Sequence, residues 1–68
     1  MKYRLLSKKE VAKMVGIHPV SLMRLVRSGR FPPPLKLDPG HRGRVRFDLA
    51  DVQIWLDERK AEAQEVLA

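Results

Sequence analysis

The chain has 68 residues, 14 Lys and Arg against 8 Asp and Glu, and a formal net charge of +6. That length is room for one small domain in which about 60% of the unfolded surface can be buried, so a large enzyme scaffold with a deep cleft is excluded. The absence of cysteine excludes a disulfide framework, a thiolate zinc site, an iron–sulfur site and a cysteine nucleophile, and it fits a reducing compartment.

The first signal in the chain is Ser7-Lys8-Lys9-Glu10, the pattern of a capping box. The Ser7 hydroxyl can accept the Glu10 amide while the Glu10 carboxylate reaches back. A first helix is expected over 8–15, with Val11, Ala12, Met14 and Val15 near one another. Gly16 ends it as the left-handed residue after the last turn. Pro19 marks the first position of a second helix, expected over 19–28 and closed by Gly29, because its missing N–H has no partner there anyway. Leu22, Leu25 and Val26, spaced by three and four, make its buried stripe.

Phe31-Pro32-Pro33-Pro34 cannot be helical, since each proline pushes the residue before it towards extended geometry. Leu35-Lys36-Leu37 and the alternating Arg44-Val45-Arg46-Phe47 read as two short strands joined by the loop Asp38 to Gly43. They predict a hairpin over 35–47 with a basic tip. Asp48 is a good N-cap for a third helix, expected over 49–64, with Asp51 in its first turn. Leu49, Val52, Trp55, Leu56 and Arg59 fall on one helical stripe. Residues 60–68 hold good helix formers with a weak apolar pattern, which leaves two readings open: a frayed tail or a surface for a partner. No repeat, linker or low-complexity stretch divides the chain, so residues 1–68 read as a single domain. No apolar run approaches the ~18 residues of a membrane span, and Met1 to Ser7 lacks the apolar stretch of a signal peptide.

The charge is not evenly spread. Residues 1–46 carry 12 basic and 2 acidic side chains, a sum of +10, whereas residues 47–68 carry 2 basic and 6 acidic, a sum of −4. A basic body with an acidic last helix suggests one face made for a polyanion, and nucleic acid is the first choice. An anionic membrane is a weaker rival, because the basic residues are spread over several elements and not gathered on one amphipathic helix.

Two short helices joined by a tight glycine turn are the signature of a helix-turn-helix. Ala12 is small, as a close helix crossing needs. Gly16 follows four residues later, and Ile17, Leu22 and Leu25 supply apolar contacts that lock the second helix on the first. The same residues as structure alone would make any helical hairpin. If the second helix enters a major groove, its outward residues are His18, Pro19, Val20, Ser21, Met23, Arg24 and Arg27. Arg24 is the first choice for a bidentate guanine contact or a phosphate clamp. Val20 and Met23 suit a thymine methyl, with core packing the rival for Met23. An N-cap is the rival role for His18, and packing or capping is the rival for Ser21. Lys8, Lys9 and Lys13 on the first helix suit backbone phosphates. The hairpin offers Lys36, His41, Arg42, Arg44 and Arg46 to a minor groove or phosphates. The alternative for Arg46 is an ion pair with an acid such as Asp51. Trp55, Phe47 and Phe31 read as core and not as base-stacking platforms.

Catalysis has little to stand on. His18 and His41 are far apart and have no companion ligands, so no metal site is expected. Ser7, Ser21 and Ser28 lack an evident base. There is no glycine loop to cradle phosphates, and no cofactor is expected.

The run Leu6 to Arg59 resembles the AlpA family of small phage and prophage regulators, which is related to MerR-type DNA-binding domains and phage excisionases. The resemblance rests on Glu10-Val11, Gly16-Ile17, and Leu22 with Arg24. It continues through Gly29-Arg30-Phe31-Pro32-Pro33-Pro34-Leu35-Lys36-Leu37, Arg46-Phe47, Asp51-Val52, Trp55-Leu56 and Arg59. His18 stands where the family often has serine, and Met23 where it has tyrosine. Both lie on the supposed reading face, so a target sequence is not carried over. The loop Asp38 to Gly43 is longer than the family's.

The resemblance implies a mainly α winged helix-turn-helix of MerR-like or excisionase-like type. It implies site-specific binding of double-stranded DNA in a bacterial or phage-encoded cytoplasmic protein. The role would be transcriptional regulator or excisionase, with a site-specific integrase as a possible partner and cooperative self-association on DNA. Two other readings stand beside it: a small terminase-like packaging subunit, and a protein-interaction module that binds an integrase or polymerase.

Overall fold

The computed structural model describes residues 2–37 and 44–67, with side chains up to Gln64. In chain order the elements are β1 (Leu5–Leu6), α1 (Lys8–Val15), α2 (Pro19–Arg27), β2 (Leu35–Lys36), β3 (Val45–Asp48) and α3 (Leu49–Leu67).

Local chemistry sets the helix ends. Ser7 N–H donates to Glu10 Oε1 at 2.9 Å, and Glu10 N–H donates to Ser7 Oγ at 3.1 Å, which completes the capping box of α1. At the other end Gly16 has φ +86°, and the N–H groups of Gly16 and Ile17 both donate to the Ala12 carbonyl, at 2.8 and 3.0 Å. Pro19 opens α2, and His18 caps it by accepting the Val20 N–H on Nδ1 at 3.2 Å. α2 ends at Arg27, one residue before the expected Ser28. The reason lies in Gly29, whose φ of +76° reverses the chain. Arg30 N–H then donates to the Leu25 carbonyl and Gly29 N–H to the Val26 carbonyl, the bond pair of a Schellman ending. Ser28 becomes the cap residue, and its hydroxyl donates to the Leu25 carbonyl at 3.0 Å.

The sheet has the order β1-β3-β2, with both pairings antiparallel. Leu5 faces Asp48 and Leu6 faces Phe47 on one side of β3. On the other side Leu35 faces Arg46 and Lys36 faces Val45. The hairpin expected over 35–47 is thus β2 and β3, with Asp38–Gly43 outside the described residues and β3 extended by one residue to Asp48. β1 was not expected, because two residues are too few for alternation to show. It pins the start of the chain beside α3, where Leu49 N–H donates to the Arg4 carbonyl at 2.9 Å.

The core is Leu6, Val11, Ala12, Leu22, Phe31, Phe47 and Val52, with Val15, Ile17, Met23, Leu25, Val26, Leu49, Trp55 and Leu56 packed against it. Ala12 is 1% exposed where α1 and α2 meet. Met14 does not join this cluster as expected and is 47% exposed. One residue before Val15, it lies about 100° further round α1, off the buried face. Phe31 plugs the space behind the prolines. Its ring meets Phe47 edge-on at 5.7 Å and Trp55 at 4.7 Å. Asp48 caps α3 by accepting the Ala50 N–H at 3.0 Å. α3 runs to Leu67, three residues beyond the expected end, and every residue from 57 to 64 is exposed. Three helices and a small sheet in this order form a winged helix-turn-helix.

Candidate nucleic-acid interface

The residues of α2 divide cleanly between the core and the outside. Leu22 is fully buried, and Met23, Leu25 and Val26 pack on the core cluster. Val20, Arg24 and Arg27, spaced by four and three, form an exposed stripe, with Ser21 exposed beside it. Pro19 is half-buried. Met23 is half-buried too, so the core takes part of the surface that was expected to face outward. His18 is exposed, but its Nδ1 is occupied by the Val20 amide, which leaves Nε2 for any further partner. Capping the helix and touching a groove are thus compatible roles for this one ring.

A second group forms between the start of α1 and the hairpin. Ser7, Lys8 and Lys9 at the start of α1 line one open cleft with Arg44, Val45 and Arg46 of the hairpin. Sequence reasoning assigned these lysines and arginines to two separate elements. The fold brings them to a single place, because β1 leads into α1 alongside β3. Arg46 is half-buried, and its Nη1 donates to the Val45 carbonyl at 2.8 Å; it does not pair with Asp51. Arg44 is exposed, as are Lys36 on the edge strand and Lys13 one turn along α1 from Lys9. His41 and Arg42 lie outside the described residues.

Glu10 is an acid in this basic neighbourhood. The Ser7 N–H holds its carboxylate below the ordinary value of 4.5, the Ser7 hydroxyl adds to this, and Arg46 and Arg4 contribute at longer range. Its carboxylate accepts the Ser7 amide at the cap of α1 and, being exposed, offsets part of the positive charge around it. Ser7 and Arg4 are members of this region that sequence reasoning did not assign to it. The signal for Arg4 would have been β1, which the sequence does not display.

Among the described residues no group of three or more His, Cys, Asp or Glu could hold a metal ion, and no helix is long and apolar enough to cross a membrane. A sequence profile for the family described as helix-turn-helix domain matches residues 5–60 of the chain. The chain belongs to the helix-turn-helix domain family. The match spans every element from β1 into the exposed part of α3, so the hairpin and the start of α3 belong to the family unit together with α1 and α2. It is a DNA-binding helix-turn-helix protein. No curated protein and no solved structure gives a match.

Proposed function

We propose that this helix-turn-helix protein is an AlpA-like regulator or excisionase of a prophage or integrative element that recognises a specific site on double-stranded DNA. In this reading the exposed stripe Val20–Arg24–Arg27 of α2 enters the major groove. Arg24 reads a base edge, with His18 and Ser21 at its flank. Lys8, Lys9, Lys13, Lys36, Arg44 and Arg46 hold backbone phosphates and fix the register of α2 on the duplex. In the excisionase form of the reading a site-specific integrase is the protein partner.

The cleft between the start of α1 and the hairpin is the observation that carries this reading. Lys8, Lys9, Arg44 and Arg46 converge there from elements far apart in the chain. Like charges repel, and a phosphate between them would remove that repulsion. The test is selection of bound duplexes from a random pool, followed by comparison of Arg24→Ala with the parent chain. The parent is expected to enrich one motif. Arg24→Ala is expected to lose ~1–3 kcal/mol on that motif and to keep its affinity for random DNA. Equal losses on both would remove Arg24 from base reading, and no enrichment would remove site-specific recognition.

A further inference from the structure

At the start of α2 the ring of His18 is exposed, and its Nδ1 accepts the Val20 N–H at 3.2 Å. A neutral imidazole has one nitrogen that accepts and one that carries the proton, so a ring that accepts at Nδ1 donates at Nε2. The cap of α2 therefore fixes the tautomer of His18 as well as the end of the helix. What the ring offers to a partner is a hydrogen-bond donor.

The rest of the exposed surface of α2 has the same character. Arg24 and Arg27 are exposed and donate only, because a guanidinium has no acceptor. Val20, 54% exposed between them and His18, has no polar atom in its side chain. The helix contains no Asp, Glu, Asn or Gln, and its one hydroxyl, at Ser21, can donate or accept. We propose that α2 reads DNA with donors and so selects guanine: the Arg24 guanidinium takes N7 and O6 of one guanine, and His18 Nε2–H takes N7 of another. This rests on the reading that α2 enters the major groove.

The base edges decide which partner fits. Guanine presents N7 and O6 side by side in the major groove, both acceptors. Adenine sets an amino donor beside its N7, and cytosine presents an amino donor. Reading those two takes a carboxamide or a carboxylate, and α2 has neither. Thymine offers a single acceptor beside a methyl group, which suits Val20 and not a guanidinium fork. His18 and Arg24 are six positions apart in the sequence. That is ~9 Å along a helix axis, about the rise of three base pairs, so both guanines fall in one short stretch of groove.

The test uses the duplex that the full chain enriches from a random pool, with each guanine in turn replaced by 7-deazaguanine. That base pairs normally and carries a carbon in place of N7, so one acceptor is lost. Replacement at two positions is expected to weaken binding of the parent chain by about fivefold or more. His18→Ser keeps a good N-cap and loses the ring donor, so it is expected to unfold at the temperature of the parent. It is expected to bind the selected duplex about fivefold more weakly and random DNA as the parent does. At one of the two guanines the deaza replacement is expected to cost this variant nothing further, because the contact is already gone. A selected motif without guanine would overturn the proposal, as would a parent chain indifferent to 7-deazaguanine at every position. A folded His18→Ser that binds as the parent does would leave His18 a cap alone, and equal losses on selected and random DNA would put its donor on a phosphate; either result overturns the proposal. All of these outcomes leave site-specific recognition standing. A parent chain that enriches no motif removes that recognition, and the proposal with it.

Discussion

Trp55 joins three parts of the molecule through one side chain. Its ring packs on Phe31, its Nε1 donates to the Arg30 carbonyl at 2.7 Å, and its outer face carries Arg59. Trp55→Ala is expected to cost ~3–5 kcal/mol in urea unfolding, which a core this small cannot absorb. Trp55→Phe keeps most of the ring and loses the hydrogen bond, so a loss of ~1 kcal/mol is expected. If the two variants unfold alike, the ring contact is not what matters. Glu10 gives a pH prediction. Its folded carboxyl titrates below the ordinary 4.5, so the stability it adds is complete above that value. That stability is lost as the pH falls through the lowered value. Glu10→Gln is expected to lose less thermal stability than the parent between pH 7 and pH 3. Equal loss in the two chains would place the acid sensitivity elsewhere. Single residues were the most legible part of the chain where their role is local. Ser7, Glu10, Pro19 and Asp48 each cap within a few positions of themselves, so spacing alone reveals them. Met14 and Met23 were less legible, because a helix positions a flank residue by its neighbours in space and not in sequence.

Among the elements, the turn between α1 and α2 is the one that sets how α2 sits on α1. Gly16 stands at φ +86°, and a Cβ added there would meet nothing within 4 Å. The need for glycine is therefore one of backbone conformation and not of space. Gly16→Ala is expected to cost ~1–2 kcal/mol in thermal unfolding, and the same change at Gly29 a similar amount. A neutral result at either site would mean that the turn relaxes into another conformation. The helices α1, α2 and α3 were legible because periodic apolar residues and caps agree at each. β1 was not, because Leu5 and Leu6 become a strand only when Phe47 and Asp48 arrive from the far end of the chain. The candidate site shares that limit. Its basic residues could be named from sequence, but the meeting of Lys8 and Lys9 with Arg44 and Arg46 is a tertiary fact. α3 is longer than expected because residues 57–64, all exposed, give the sequence no apolar pattern that marks how far the helix runs.

For the whole molecule the governing quantity is charge. The basic residues of the first two-thirds of the chain and the acids of α3 are segregated, which orients the protein in the field of a polyanion. Removing one of the proposed phosphate contacts of the cleft then has a definite signature. Arg44→Ala is expected to weaken binding to specific and random DNA alike and to flatten the salt dependence by about one unit in a log–log plot. In the proposed function this helix-turn-helix protein binds a particular duplex through α2 while the cleft holds its phosphates. A fluorescence-anisotropy titration over a series of salt concentrations tests it most directly, using a duplex selected by the protein and a scrambled duplex of the same length. Tighter binding to the selected duplex is expected at every salt concentration, with a log–log slope near −5 for about six phosphates. Equal affinity for the two duplexes, or an affinity that salt leaves unchanged, would contradict it.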